Sequence, residues 1–261
     1  MLNKSSFSTG LGTTQPPESY KILVIGDSCL DEYIYGRCTR LNPEAPVPVM
    51  DYSHREPRGG MALNVYNNLK AFGLDVDMIT NEESLIKTRY VDEKSNQQIL
   101  RVDRGGPVKP FTKDIDDKYD VIVISDYDKG FLSSAKLFDI VQAAECPVFI
   151  DSKKQELPKY NCIIKLNEPE YQQLKSDNHN VIVTRGAAGA EFAGQLFPGI
   201  KVDVHDVAGA GDTFLAGLVY FYLLYGKIEL AIPYANKAAG IAVQNTGTYV
   251  LSEEDVNEIC D

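Results

Sequence analysis

A series of short, continuously apolar runs separated by helix-like segments places the strongest constraint on the fold of this chain. Such runs are typical of strands that are buried on both faces of a parallel sheet. They are KILVIG (21–26), VIVIS (121–125), PVFID (147–151), CIIKL (162–166) and VIVT (181–184). Helical patterns occupy 61–72, 131–144, 168–175, 208–226, 228–245 and 252–260. This alternation predicts right-handed βαβ units, and therefore an α/β fold with a mostly parallel central sheet.

Two segments interrupt the alternation and predict β-structure without intervening helices. They are VPVMDY (47–52) and 86–103, and the second is typical of a hairpin that turns near 93–96. We expect these strands to form a small projecting sheet, a β-lid over a binding cleft. Residues 1–19 are polar and rich in Ser, Thr, Gly and Pro, which predicts a flexible N-terminal tail before a single domain at 20–261.

Charge and cysteine content exclude several classes of protein. The chain has 26 Lys and Arg against 37 Asp and Glu, a net charge of −11, which disfavours general nucleic-acid binding. No apolar run approaches the roughly 20 residues of a membrane helix, and the N-terminus lacks the apolar core of a signal peptide. The five cysteines form no CxxC pair, so we expect free thiols and a cytoplasmic protein without a zinc site.

The segment DVAGAGDTF at 206–214 is the strongest candidate for a catalytic site. Gly209 and Gly211 allow a sharp turn around Ala210, and a long helix begins there, so its free N–H groups and its dipole favour an anion. Asp212 stands beside this anion hole, where a carboxylate can accept a proton from a hydroxyl group. This arrangement is suited to phosphoryl transfer. The alternative is a plain turn with Asp212 as a helix cap.

A second glycine pair precedes another predicted helix. Gly59 and Gly60 would bring the backbone close to a polyol, and Asn64 would bind a hydroxyl group one turn into the helix. Asp31 follows the first strand, at the sheet edge where ligands of open α/β sheets bind. The alternative for this segment is an ordinary turn and cap.

Further polar residues follow the ends of predicted strands. Asn167 and Glu170 have the spacing to orient the water ligands of Mg²⁺ and a phosphate group, although ordinary helix capping explains the same pattern. Lys129 and Lys153 are candidates for phosphate contacts, or else solvated lysines. The pattern matches neither the Walker A motif nor the dinucleotide motif GxGxxG.

Together these elements resemble a known family. The D-x-x-GAGD-TF and GG…N elements resemble the C-terminal and N-terminal signatures of the ribokinase-like (PfkB) carbohydrate kinases. Four further segments narrow the resemblance to the kinase domain of the bifunctional D-glycero-β-D-manno-heptose-7-phosphate kinases/adenylyltransferases, which act in ADP-heptose synthesis for lipopolysaccharide. These segments are LNPEAPVPV (41–49), 87–103, SDYDKG (125–130) and VTRGAAG (183–189).

The resemblance implies a three-layer α/β/α sandwich with a β-lid and phosphoryl transfer from MgATP to the anomeric hydroxyl of a sugar phosphate. It implies Asp212 as the base and Gly209, Ala210 and Gly211 as the anion hole. The implied sugar or phosphate contacts are Asp31, Gly59, Gly60, Asn64, Arg89, Gln98, Arg101, Lys129 and Lys153. The implied nucleotide contacts are Asn167, Glu170, Thr184, Gly186, Gly189 and Asn236, with Mg²⁺ held through water by Asn167 and Glu170. A homodimer through the β-lid is also implied.

The chain departs from the family pattern at several places. It is shorter between Ile79 and Lys87 and between Lys175 and Asn180, its segment 194–203 is short and irregular, and Ala208 stands where a hydroxyl residue is common. No adenylyltransferase domain follows in this sequence, so we expect the kinase activity alone. A silent nucleotide- or sugar-binding protein on a kinase scaffold and a kinase of another small molecule, such as a nucleoside, remain alternatives.

Overall fold

A computed structural model describes residues 19–177 and 180–260. Within these ranges, the main sheet has eight strands in the order β12-β11-β10-β9-β8-β7-β1-β4. The strands are β1 (Lys21–Gly26), β4 (Asp75–Thr80), β7 (Val121–Asp126), β8 (Val148–Ser152), β9 (Ile163–Asn167), β10 (Val181–Thr184), β11 (Ala190–Phe192) and β12 (Gln195–Phe197). The pairs from β4 to β10 are parallel, and β11 and β12 extend the edge in antiparallel fashion. The predicted mostly parallel sheet is therefore confirmed.

Helices cover both faces of this sheet. They are α1 (Ala62–Ala71), α2 (Ser134–Ala143), α3 (Glu168–Gln173), α4 (Ala210–Tyr225), α5 (Ile228–Ala242) and α6 (Glu253–Cys260). On β1, Ile22 and Val24 belong to one buried cluster, with residues of α1, α4, α5 and α6. The alternate residues Leu23 and Ile25 belong to a second cluster, with residues of α2. Both faces of the strand are buried, which explains its unbroken apolar sequence and gives the expected three layers.

A second sheet, the β-lid, has the strand order β3-β2-β5-β6. Its strands are β2 (Ser28–Leu41), β3 (Pro48–Met61), β5 (Ile86–Asp92) and β6 (Gln97–Arg104). The hairpin expected in 86–103 is present as β5 and β6. The strand expected at 47–52 is longer, since it runs to Met61. The expectation of an irregular segment at 194–203 is wrong for 195–197, which forms β12.

The long strand β2 and the core strand β4 were not predicted. β2 carries charged residues such as Arg37 and Arg40 toward its exposed end, and β4 reads DVDMIT, so neither has a continuous apolar run. β2 begins two residues after β1 ends, which attaches the β-lid to the carboxyl edge of the main sheet. Ligands of open α/β sheets bind at this edge.

The predicted tail at 1–19 lies outside the described residues except for Ser19. In the part of the chain that the structure describes, no helix combines the length and apolarity needed to cross a membrane.

Candidate active site

The glycine turn at 209–211 leads into the long helix α4 at the carboxyl edge of the main sheet. Gly209 is the N-cap, with a φ of 78° in the left-handed region that glycine tolerates best. A Cβ atom at this position would lie 2.7 Å from Nδ2 of Asn64, so the turn also requires the missing side chain. The first amide groups of α4 point out of this turn and form the positive end of the helix dipole.

Asp212 lies in the first turn of α4 and is 2% exposed. Its Oδ1 accepts a hydrogen bond from Oη of Tyr127 at 2.8 Å, and its Oδ2 accepts one from Nδ2 of Asn64 at 3.1 Å. Burial raises the pKa of Asp212 to about 6, and the negative charge of Asp151 adds to this, while Tyr127, Asn64 and Lys165 oppose it. A carboxylate with this pKa is ionised at neutral pH and is a stronger base than an exposed aspartate.

A buried ion pair lies behind the glycine turn. Nζ of Lys165, on β9, donates to Oδ2 of Asp151, on β8, at 2.7 Å. Burial alone would lower the pKa of Lys165, but the carboxylates of Asp151, Asp212 and Glu170 together raise it. The pair therefore holds an ammonium group beside the site. Lys165 was not among the residues predicted from the sequence, although a lysine inside an otherwise apolar strand is a signal for a buried functional charge.

The β-lid contributes a second buried carboxylate, Asp31, which is 2% exposed. A Cβ atom on Gly60 would lie 2.3 Å from its Oδ2, so glycine at this position makes room for the carboxylate. Burial raises the pKa of Asp31, and the charges of Lys87 and Arg89 oppose this shift. Nε of Arg89 lies 3.5 Å from Oδ1 of Asp31. Both atoms are buried without a hydrogen-bond partner among the described residues.

The interpretation of Gly59 and Gly60 as a turn is wrong. Both lie within β3, paired with Leu30 and Cys29 of β2. The left-handed residue before α1 is instead Met61, with a φ of 59°. The absence of a side chain at Gly60 lets the side chains of Cys29 and Asp31 on β2 approach the backbone of β3 closely.

Asn64, predicted to bind a sugar hydroxyl, is completely buried and contacts other side chains of the protein. Its Nδ2 donates to Asp212 and lies 3.4 Å from the carbonyl oxygen of Gly209. Its Oδ1 accepts from Nδ2 of Asn68 at 3.2 Å. Asn64 therefore connects α1 to both the base and the glycine turn.

The other predicted β-lid residues divide into two groups. Nη1 of Arg89 donates to Oε1 of Gln98 at 3.0 Å, which joins β5 to β6 near Asp31. Arg101 is exposed and forms two hydrogen bonds, of 2.8 and 2.9 Å, with the carboxylate of Asp103. The structure thus brings Arg89 to Asp31 and joins Gln98 to Arg89, while Arg101, which pairs with Arg89 across β5 and β6, is exposed but close enough for its charge to act on Asp31.

A groove with a volume of about 360 Å³ lies on the other side of the glycine turn. Four of the predicted nucleotide residues line it together with two of the three anion-hole residues, namely Thr184, Gly186, Gly189, Asn236, Ala210 and Gly211. Nδ2 of Asn236 donates to the carbonyl oxygen of Phe197 at 2.9 Å, which ties α5 to the wall of the groove. The groove therefore ends at the first turn of α4, next to Asp212.

Asn167 and Glu170 form a capping box at the start of α3. The Asn167 side chain accepts from the Glu170 amide, and the Glu170 side chain accepts from the Asn167 amide, each at 2.9 Å. Glu170 also pairs with Lys153. Within the described ranges, no group of three or more His, Cys, Asp or Glu side chains could hold a metal ion. These donors fit only an ion that keeps water and phosphate oxygens as ligands, as Mg²⁺ commonly does.

Two residues near the first strand have structural roles. The buried carboxylate of Asp27 accepts hydrogen bonds from the amides of Tyr127, Lys129 and Phe131 at 2.9, 3.2 and 3.2 Å. It therefore anchors the loop after β7, and the exposed side chain of Lys129 leaves from that loop. Burial, with the nearby Asp31, raises the pKa of Cys29 to about 12, so this residue remains a thiol and is no nucleophile.

Similarity to known proteins agrees with this geometry. The family model described as pfkB family carbohydrate kinase matches residues 135–255. The bifunctional protein HldE of a Nitratiruptor species is 32% identical over 298 residues, covering 91% of this chain and 64% of the relative. The protein of the same name from Geobacter sulfurreducens is 32% identical over 305 residues, covering 90% and 61%. The chain thus spans somewhat less than two thirds of the length of these relatives.

Solved structures share the fold at low sequence identity. Ribokinase from Thermotoga maritima superposes with a TM-score of 0.70 at 15% identity, covering 92% of this chain and 99% of that chain. A nucleoside kinase of the ribokinase family from Methanocaldococcus jannaschii gives a TM-score of 0.67 at 17% identity, covering 93% and 98%. Ribokinase from Arabidopsis thaliana, solved with ribose and ATP, gives 0.65 at 14% identity, covering 92% and 98%. The predicted ribokinase-like fold is therefore confirmed.

Proposed function

We propose that the chain is a ribokinase-like (PfkB) carbohydrate kinase, which transfers the γ-phosphoryl group of ATP to a sugar hydroxyl with Asp212 as the general base; its similarity to the pfkB family model and to the HldE proteins supports this. One observation carries the proposal. A buried carboxylate, held by Asn64 and Tyr127, lies in the first turn of α4, next to the groove that Ala210 and Gly211 line.

The proposed step moves one proton and one phosphoryl group. Asp212 accepts the proton of the acceptor hydroxyl, the acceptor oxygen bonds to the γ-phosphorus, and the bond between that phosphorus and the bridging oxygen of ADP breaks. The amide groups of the glycine turn stabilise the charge on the transferring group. The ammonium of Lys165, beside Gly211, supplies further positive charge.

ATP would lie in the groove lined by Thr184, Gly186, Gly189 and Asn236. A bound Mg²⁺ ion would neutralise charge on the phosphates, and Glu170 and Asn167 would hold it through water. The capping box sets the position of both side chains before any ligand binds. Lys153 and Lys129 would contact phosphate groups at the same edge of the sheet.

We propose a heptose 7-phosphate as the acceptor, with phosphorylation of its anomeric hydroxyl, as one step of ADP-heptose synthesis for lipopolysaccharide. The identity of 32% to the proteins named HldE supports this choice. So does the positive charge of the β-lid, since Lys87, Arg89 and Arg101 all act on the pKa of Asp31. Asp31, Gly59 and Gly60 would hold the sugar, and the β-lid cations with Gln98 would face its phosphate.

We further propose that two copies associate through the β-lid, because this sheet exposes large apolar side chains. Leu100 on β6 is 54% exposed. Sedimentation velocity should detect a dimer that Leu100→Lys dissociates. Leu196→Lys is a matched control, because Leu196 is 52% exposed on β12, outside the β-lid. A wild-type monomer would exclude this association.

A panel of acceptors tests the activity. ADP release from MgATP would be measured with heptose 7-phosphate, ribose, fructose 6-phosphate and nucleosides. The proposal predicts the highest kcat/KM with heptose 7-phosphate. A preference for nucleosides would favour a nucleoside kinase on the same fold. ATP binding without release of ADP for any acceptor would favour a silent binding protein.

A further inference from the structure

Tyr127 contacts the proposed base directly, and it lies in the segment SDYDKG (125–130), where the sequence alone assigned it no role. Its Oη donates to Oδ1 of Asp212 at 2.8 Å. We infer that Tyr127 is a positioning residue, which fixes the orientation of the Asp212 carboxylate toward the acceptor hydroxyl. This inference rests on the proposed role of Asp212 as the base.

The backbone around Tyr127 is fixed rather than free to swing. Its amide donates to Oδ2 of Asp27 at 2.9 Å, and the same carboxylate accepts from the amides of Lys129 and Phe131. Asp27 is completely buried, so these bonds are shielded from water. A phenol on such a segment is suited to holding a neighbour in place and is poorly suited to acting as a movable cover.

Two ammonium groups also lie close to the ring of Tyr127. Nζ of Lys87, from strand β5 of the β-lid, lies 5.4 Å from the ring centroid. Nζ of Lys153, from the segment after β8, lies 5.2 Å from it. Both distances are within the range of cation–π attraction. The ring therefore has contacts with both the β-lid and the main domain.

Each oxygen of the Asp212 carboxylate accepts one of the two hydrogen bonds. Tyr127 donates to one oxygen and Asn64 to the other, from different elements of the fold. Two such donors define the plane of the carboxylate and leave each oxygen a lone pair for the acceptor proton. Without Tyr127, one oxygen would have no fixed donor and the carboxylate would rotate about its χ2 bond more freely.

The charged and titratable groups around Asp212 influence the protonation states of Asp212 and Tyr127, and therefore the direction of their hydrogen bond. Asp151 repels a negative charge there, Lys165 attracts it, and Cys29 is a neutral thiol. Burial, with the charges of Asp212 and Asp151, raises the pKa of Tyr127 well above its ordinary value. Tyr127 therefore remains a hydrogen-bond donor throughout the working range of pH and favours the ionised form of Asp212.

Tyr127→Phe removes the hydroxyl and keeps the ring next to Lys87 and Lys153. We expect kcat to fall about 10- to 100-fold, as for loss of a hydrogen bond to a charged group. The KM for ATP should stay within about twofold, because Tyr127 lies outside the nucleotide groove. The acid limb of the kcat profile should move up by about one pH unit, because the ionised base has lost a donor.

Tyr119→Phe is the matched control. Oη of Tyr119 donates to Oδ2 of Asp77 at 2.9 Å, so this substitution removes a tyrosine–aspartate hydrogen bond away from the site. We expect its kcat and pH profile to match those of the wild type.

Two results would overturn the inference. The first is an unchanged kcat in Tyr127→Phe. The second is a lower kcat with an unmoved acid limb, which would show that the hydroxyl only supports the local structure. Asp212→Asn is measured in parallel. Turnover at the wild-type rate in that variant would refute Asp212 as the base. The comparison therefore separates failure of the proposed function from failure of the role of Tyr127.

Discussion

The ammonium group of Lys165 lies against the backbone of Gly211, since a Cβ atom on this glycine would be 2.6 Å from Nζ. The same Nζ donates a hydrogen bond to Asp151, which limits how far the ammonium group can move away from Gly211. Glycine at position 211 therefore allows a positive charge to approach the turn that would hold the transferring phosphoryl group.

Gly211→Ala should displace Lys165 from the glycine turn. We expect kcat to fall by at least about 10-fold, because removing a single preorganised electrostatic contact costs about 10²–10³ in rate. Steady-state kinetics with saturating ATP would measure this. The control is Gly106→Ala, where a Cβ atom would meet no other atom within 4 Å. Equal rates for the two variants would contradict the role assigned to Gly211.

Lys165→Met should destabilise the fold strongly. It removes one partner of a buried ion pair and leaves the charge of Asp151 uncompensated, which costs about 3–5 kcal/mol. The free energy of unfolding, measured in urea at pH 7, would report this loss. Lys159→Met is the control, because Lys159 pairs with Asp177 at the surface and such pairs contribute about 0–1 kcal/mol. Similar losses in the two variants would argue against a buried pair.

Asp212→Asn should make the protein more stable at neutral pH. Burial raises the pKa of this carboxyl from 3.8 to about 6. The native state therefore binds the proton more tightly than the unfolded state, so this group favours folding fully below pH 3.8 and loses that contribution as pH rises through 6. Removing the buried charge should raise the free energy of unfolding by up to about 3 kcal/mol above pH 6.

The stabilisation of Asp212→Asn should largely disappear when both proteins are compared at pH 3, where the wild-type carboxyl is mostly protonated in both the native and the unfolded state. Thermal unfolding from pH 3 to pH 8 would test the sign. A gain of the same size at pH 3 and pH 8 would exclude ionisation of Asp212 as its cause.

The pH dependence of turnover should report the same carboxyl. Because a general base works only when ionised, kcat of the wild type should fall about tenfold per pH unit below a pKa of about 6. Rates from pH 5 to pH 8, with saturating MgATP and acceptor, would locate the midpoint. A rate that stays constant from pH 8 down to pH 5 would mean that the base is an exposed carboxyl rather than buried Asp212.

Sequence patterns predicted the parts of this fold whose burial is uniform. The strands at 21–26 and 181–184 were found with their bounds, because strands buried on both faces are apolar throughout. β2 was missed, because its burial alternates and then fades toward Leu41. Only the pairing with β3 and β5 makes this segment a strand, and such long-range contacts leave little trace in a local pattern.

The candidate site was predictable where one short motif contains both the anion hole and the proposed base. Asp212 follows Gly209 and Gly211 within four positions of the chain, so the anion hole and the carboxylate could be identified together. The roles of Tyr127 and Lys165 could not be assigned, because Tyr127 follows β7 and Lys165 lies within β9, and they contact Asp212 and Gly211 only after the sheet has formed. Asn64 was found, but its contact with Asp212 across 148 positions was not.

Turnover by Asp212→Asn decides whether Asp212 is the general base. ADP release would be measured with MgATP and the best acceptor from the panel, and calorimetry would compare ATP binding by the variant and the wild type. We expect unchanged nucleotide affinity and a kcat lowered by about 10²–10⁴, the contribution of a positioned general base. A variant that binds ATP and turns over at the wild-type rate would contradict this role.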